Sequence, residues 1–166
     1  MSFFLVVLVS QIKCWITLVY TKIENRVKTA SFESIITHLN QCSVYFKPAL
    51  NSYVVIENYS KKIYDLAVTF ESWDGKSLVG LVAAYFNNEK TKNGFITNVS
   101  VLREYHNSGI ASSLLHNAIS YARDNKYVKI NLEVNINNTI AVKLYERIGF
   151  TISDSNKNNL IMVKYV

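Results

Sequence analysis

Proline is almost missing from this 166-residue chain: Pro48 stands alone, and glycine occurs only five times. That scarcity excludes a collagen-like repeat, a flexible linker and a low-complexity tract. Cysteine is equally sparse. Cys14 and Cys42, the two present, cannot build a disulfide framework and show no paired metal-ligand spacing. They fit a reducing, cytoplasmic setting. Long apolar runs are lacking too. The stretch FFLVVLV at residues 3–9 is far too short to span a bilayer. No charged region precedes it and no small-residue cleavage site follows, which argues against a signal peptide. Residues 1–15 are read as an N-terminal extension or a first strand.

What is present is a globular composition, with 49% apolar and 18% charged residues, and a length that suits one domain with a real core. The net charge of +6 invites a nucleic-acid reading. The basic residues are scattered, however, with Lys61-Lys62 the only adjacent pair, and no nucleic-acid-binding motif accompanies them. An anionic small molecule is the favoured partner, and no nucleic acid is expected. The three histidines (His38, His106 and His116) are too far apart in sequence to suggest a metal site.

Along the chain an α/β mixture emerges. CWITLVY at residues 14–20 reads as a strand. Phe32, Ile35, Ile36 and Leu39 recur at helical spacing behind the N-cap candidate Ser31, and that helix should fade near Gln41. His38, near its end, would sit there to favour the helix dipole. Ile56–Leu66 reads as a second helix with Ile63 and Leu66 inward. Residues 67–73 and 78–86 are β-rich runs joined through Asp74-Gly75, a hairpin signal. A third strand at 95–102 completes an antiparallel meander.

Residues 104–111, EYHNSGIA, place Gly109 and small residues at the start of a helix. Its apolar stripe is Ile110, Ala111, Leu114, Leu115, Ala118, Ile119 and Ala122. Unpaired amides and the positive end of the dipole would make an anion site there. The turn matches neither a Walker A loop nor a dinucleotide fingerprint. A strand at 128–134 follows, with Val128, Ile130, Leu132 and Val134 on one face and Lys129, Asn131 and Glu133 on the other. Asn138 caps a second helix whose inner stripe is Ile140, Ala141, Leu144, Tyr145 and Ile148. Gly149 ends it, and a closing hairpin uses residues 150–152 and 160–166.

These residues carry a family resemblance. Val99-Ser100-Val101 followed by His106-Asn107-Ser108-Gly109-Ile110-Ala111 resembles the first signature of the GNAT superfamily of N-acetyltransferases. Asn138, Ala141, Leu144, Tyr145, Gly149 and Phe150 match the second, Asn-x-x-Ala-x-x-Leu-Tyr-x-x-x-Gly-Phe. His106 stands where glutamine or arginine is usual, and Arg103 where proline is common. The resemblance is specific over residues 94–150. It implies an α/β (α+β) fold with a mixed, mostly antiparallel sheet of six to seven strands flanked by about four helices. Residues 1–166 would then form one acetyltransferase domain, a monomer or homodimer, with 94–150 as the acetyl-CoA-binding core.

It further implies acetyl-CoA as cosubstrate, with no metal. Val99, Ser100 and Val101 would lie along pantetheine, and His106, Asn107, Ser108, Gly109, Ile110, Ala111 and Ser112 around the pyrophosphate. Asn138 and Tyr145 are carried over as further cofactor contacts. A parallel strand pair parting after Val101 would expose backbone amides to the thioester. The chemistry is consistent with that expectation. A lysine-like amine, with a pKa of about 10.4 in water, must lose a proton, and the tetrahedral oxyanion and departing thiolate need donors.

Tyr145 is then the candidate acid, or else an ordinary core aromatic. Glu133 is the candidate water-mediated base, or else a solvated carboxylate. His106 is expected beside phosphate, and His116 in solvent. The acceptor amine, from an amino sugar, another small molecule or a peptide, is open, with Trp73, Tyr85 and Phe86 as candidate walls of its pocket. A non-catalytic CoA-binding or protein-interaction module on the same fold is the alternative.

Overall fold

The computed structural model describes residues 23–166. The strand at 14–20 and the apolar run at 3–9 lie outside them. Strands β1 (Glu24–Val27), β2 (Val68–Asp74), β3 (Ser77–Tyr85), β4 (Asn93–Val101), β5 (Lys129–Asn135), β6 (Thr151–Ser155) and β7 (Asn159–Tyr165) form one seven-stranded sheet, ordered β1-β2-β3-β4-β5-β7-β6. Only β4 and β5 run parallel, and the other neighbours are antiparallel. Helices α1 (Phe32–Cys42), α2 (Ile56–Leu66), α3 (Ile110–Asp124) and α4 (Thr139–Ile148) flank it. The mixed, mostly antiparallel architecture matches the expectation. Strand β1, exposed and at the sheet edge among the described residues, was not foreseen, because ENRV carries no apolar alternation.

Two apolar layers sandwich the sheet. Ile35, Leu39 and Ile63 from α1 and α2 pack on Leu78, Leu81 and Ala83. On the other face Leu114, Leu115 and Ala118 of α3 pack with Val82, Ile130 and Leu132. The α3 N-terminus presses so close to β3 that a Cβ at Gly80 would meet Ile110 Cγ2 at 2.5 Å. Glycine there sets how near α3 can lie. Gly75 supplies the left-handed residue (φ +57°) of the β2–β3 hairpin, as the Asp-Gly pair predicted.

Three apolar residues expected inside are outside. Leu66 is 54% exposed: the α2 stripe runs through Ile56, Ser60 and Ile63, and its next position is the buried Ala67, one residue beyond. Ile140 is 79% exposed, because the α4 stripe is set by Ala141, Leu144, Tyr145 and Ile148 and leaves Ile140 off it. Val128 shares the parity of Ile130 but precedes β5 and lies outside the packed layer. His38 is the opposite case. It falls on the α1 stripe with Ile35, Leu39 and Cys42 and is buried, so it does not serve as a solvent-facing charge at the helix end.

Candidate active site

The parallel pair β4–β5 is joined over only four residue pairs, Asn93↔Lys129 to Ile96↔Leu132. Beyond Ile96 the strands separate, so the parting begins well before Val101, where it was expected. Its cause is a bulge. Asn98 pairs with Ala83 and Ile96 with Ala84, which leaves Thr97 as an extra residue in β4. Such an insertion bends a strand and ends regular pairing. Tyr59 of α2 fixes it, its hydroxyl donating to the Thr97 carbonyl at 2.6 Å.

The parted edge presents backbone groups. Leu102 N–H donates to the Val79 carbonyl at 2.9 Å. Alternation along an antiparallel ladder then turns the amides of Ser100 and Asn98 toward β3, and those of Val99 and Val101 toward the gap. The gap opens into a cavity of about 650 Å³. Val99, Ser100, Val101, His106 and Asn107 line it, as do Gly109, Ile110, Ala111 and Ser112 at the start of α3. Glu133, Asn138 and Tyr145 complete the set gathered from the sequence. Ser108 does not line it: its hydroxyl donates to the Tyr105 carbonyl at 2.6 Å and closes the loop.

The start of α3 is shaped for an anion. Asn107 (φ +61°) and Gly109 (φ +84°) are both left-handed, and no side chain caps the helix. The first intrahelical bond of the turn is Ser113 N–H to Gly109 O at 3.0 Å. The amides of residues 110–112 precede it at the positive end of the dipole. Lys47 and Arg147 add positive charge to the cavity wall. His106 is exposed and its Nε2 donates to the Val101 carbonyl at 2.9 Å, which ties the loop to the end of β4. His116 is exposed, as expected, with Nδ1 against the Ser112 carbonyl.

Tyr145 is buried in α4, its ring edge-on to Phe150 at 6.0 Å between centroids. Burial pushes its phenol pKa up, so the hydroxyl keeps its proton at neutral pH. The helix that carries it is pinned at both ends. Asn138 Oδ1 accepts from Ala141 N–H at 3.3 Å. At the other end Gly149 (φ +96°) and Phe150 both donate to the Tyr145 carbonyl, the left-handed termination that a glycine allows. Glu133 is exposed on the polar side of β5 and accepts from Asn159 Nδ2 at 2.8 Å.

One stretch of the wall was missed by sequence reasoning. Tyr45, Phe46, Lys47 and Tyr53, from the segment between α1 and α2, line the cavity. Trp73, Tyr85 and Phe86 do not. Trp73 packs under α1 and α2 with its indole N–H on Glu71, and Phe86 stacks with Tyr121 and Tyr127 on the opposite face. Tyr45 is held between Arg103, 5.5 Å from its ring centre, and the His106 ring at 6.3 Å. Only the aromatic content of residues 45–53 hinted at this wall. Among the described residues, no cluster of three or more His, Cys, Asp or Glu is placed to hold a metal ion. No helix among them is long and apolar enough to cross a membrane.

Residues 32–150 match the acetyltransferase (GNAT) family, and the chain belongs to that family of acetyltransferases. It is 28% identical over 102 residues to the N-alpha-acetyltransferase 30 of Schizosaccharomyces pombe, covering 57% of this chain and 68% of that one. It is 32% identical over 76 residues to the N-alpha-acetyltransferase MAK3 of Arabidopsis thaliana, covering 46% of this chain and 40% of that protein. The fold is shared with the PaiA N-acetyltransferase of Thermoplasma acidophilum, solved in complex with coenzyme A. The TM-score is 0.71 at 16% identity, over 87% of this chain and 99% of that one.

Proposed function

We propose that this protein is an N-acetyltransferase that moves the acetyl group of acetyl-CoA to the α-amine of a peptide, by direct attack in a ternary complex. The observation that carries it is the gap between β4 and β5, which opens into one cavity lined by both an uncapped helix start and the aromatic residues Tyr45, Phe46 and Tyr53. The residues present fit acetyl-CoA. The amides of 110–112 and the loop at Asn107–Gly109 suit a pyrophosphate, and the edge amides of Val99 and Val101 suit pantetheine and the thioester carbonyl. Asn138 serves this site as the cap of α4. The whole chain, 1–166, is read as one acetyltransferase domain with 94–150 as its cofactor-binding core.

Acetyl-CoA supplies a thioester carbonyl that an amine can attack. Tyr145, protonated and buried at the gap, donates to the leaving thiolate. Glu133, exposed at the mouth of the gap, takes the amine's proton through water. A nitrogen–carbon bond forms, the carbon–sulfur bond breaks, and one proton passes from amine to solvent while Tyr145 is reprotonated. A peptide acceptor is supported over an amino sugar by the similarity to two N-alpha-acetyltransferases and by a wall of Tyr45, Phe46 and Tyr53, which suits side chains beside a terminal amine. The test is thiol release from acetyl-CoA with short free-amine peptides, glucosamine and spermidine as acceptors. Turnover with peptides well above the others is expected. Turnover confined to the sugar or polyamine would refute the peptide reading, and none with any amine would refute the enzyme.

A further inference from the structure

The cavity at the β4–β5 gap contains an amine of the protein's own. Among the described residues Lys47 is the only lysine that lines it. Arg147 lines it too, but a guanidinium does not give up its proton and cannot act as a nucleophile.

The backbone that carries Lys47 is held on both sides. Tyr45 sits between Arg103 and the His106 ring, and Phe46 packs against the core layer of α1 and α2, in which Leu50 is buried. The side chain itself is not held. Lys47 is exposed, and no ion pair among the described residues engages it. A flexible four-carbon stem on a fixed base moves its amine freely through the space beside it. Val99, Val101 and Glu133 line that same space. An amine on a short flexible tether meets its target at an effective concentration of about the millimolar range, with no binding step of its own.

We propose that Lys47 is an internal acceptor: without a peptide, the protein acetylates its own Lys47 Nζ, once per chain. This rests on the acetyl-CoA part of the reading above and not on the peptide acceptor. The neutral Nζ attacks the thioester carbonyl, a nitrogen–carbon bond forms and the carbon–sulfur bond breaks. Of the two protons the ammonium loses, one replaces that given by Tyr145 to the CoA thiolate, and the other passes to solvent. The product is a stable amide, so the cavity wall loses one positive charge.

The test incubates the full chain with acetyl-CoA and no acceptor, and follows each lysine by peptide mass spectrometry. Lys126 and Lys157, which are exposed and do not line the cavity, are internal controls. Lys47 should be acetylated about 10²-fold faster than either, because only it has a general acid and base at hand. Its rate constant should not change on tenfold dilution of the protein, and excess coenzyme A should slow Lys47 while leaving the controls alone. A protein that acetylates a free-amine peptide but modifies Lys47 no faster than the controls would overturn the inference alone. So would Lys47 acetylation that excess coenzyme A leaves untouched, or a rate constant that rises in proportion to protein concentration, which would assign the transfer to another copy. A protein that acetylates neither Lys47 nor any added amine would overturn the underlying reading as well.

Discussion

Removing one oxygen atom from Tyr145 separates chemistry from folding. The ring packs against Phe150 inside the α3–α4 layer, and Tyr145→Phe keeps every one of those contacts. Among the described residues no protein group bonds its hydroxyl, so the substitution strands no partner. Stability should therefore change by less than about 0.5 kcal/mol, the range for substitutions that create neither a cavity nor an unpaired polar group. On the proposed mechanism the thiolate, by contrast, would lose its proton donor, whose proton burial holds by raising its pKa. General-acid catalysis contributes roughly 10²-fold or more, about 2.7 kcal/mol in the barrier. The assay is a single-turnover rate with acetyl-CoA and a reactive peptide, beside a melting curve and CoA titration of the same variant. Full turnover in a variant with normal melting and CoA affinity would refute the acid role. A slow variant that also melts early would assign Tyr145 to the core instead.

Three other perturbations test separate parts of the molecule. Gly109 has φ +84° and open space where a Cβ would stand; Gly109→Glu should weaken CoA binding about 10-fold beyond Gly109→Ala, since only the first adds negative charge at the helix start. Equal affinities by calorimetry would displace the pyrophosphate from α3. Glu133→Gln keeps an oxygen for Asn159 but removes the proposed base, so the pH at which the rate levels off should rise; an unmoved pH–rate profile would leave Glu133 a solvated carboxylate. Glu71 is fully buried, which alone would raise its pKa, but donors from Thr29, Thr69, Ala30 and Trp73 bring it below the ordinary value. A depressed folded pKa gives stability that is present above the unfolded value, about 4.3, and lost as pH falls through the folded one. Glu71→Gln should cost about 3 kcal/mol at pH 7 and flatten the acid limb of a stability–pH curve; unchanged melting between pH 3 and 7 would contradict this.

Sequence by itself determined what depends on near neighbours. The Asp-Gly hairpin, the Gly109 turn into an amphipathic α3, and the Asn138 and Gly149 ends of α4 all arise from residues within one or two turns of each other. Their conformational preferences are written locally, and so were most of the residues gathered around the cavity at the β4–β5 gap. Even there the period slipped at Leu66 and Ile140, because a stripe one residue out of phase looks the same until a partner layer selects it. The tertiary structure decided the rest. Where β4 leaves β5 follows from a register against β3 that isolates Thr97, and no local pattern announces a bulge. The aromatic wall of the cavity required residues 45–53 to be carried across to the end of β4. His38 and Ser100, 62 residues apart, meet only once α1 lies on the sheet. Burial there removes water as a competing partner, and that turns an unremarkable helix histidine and a strand asparagine into parts of one fixed hydrogen-bond chain.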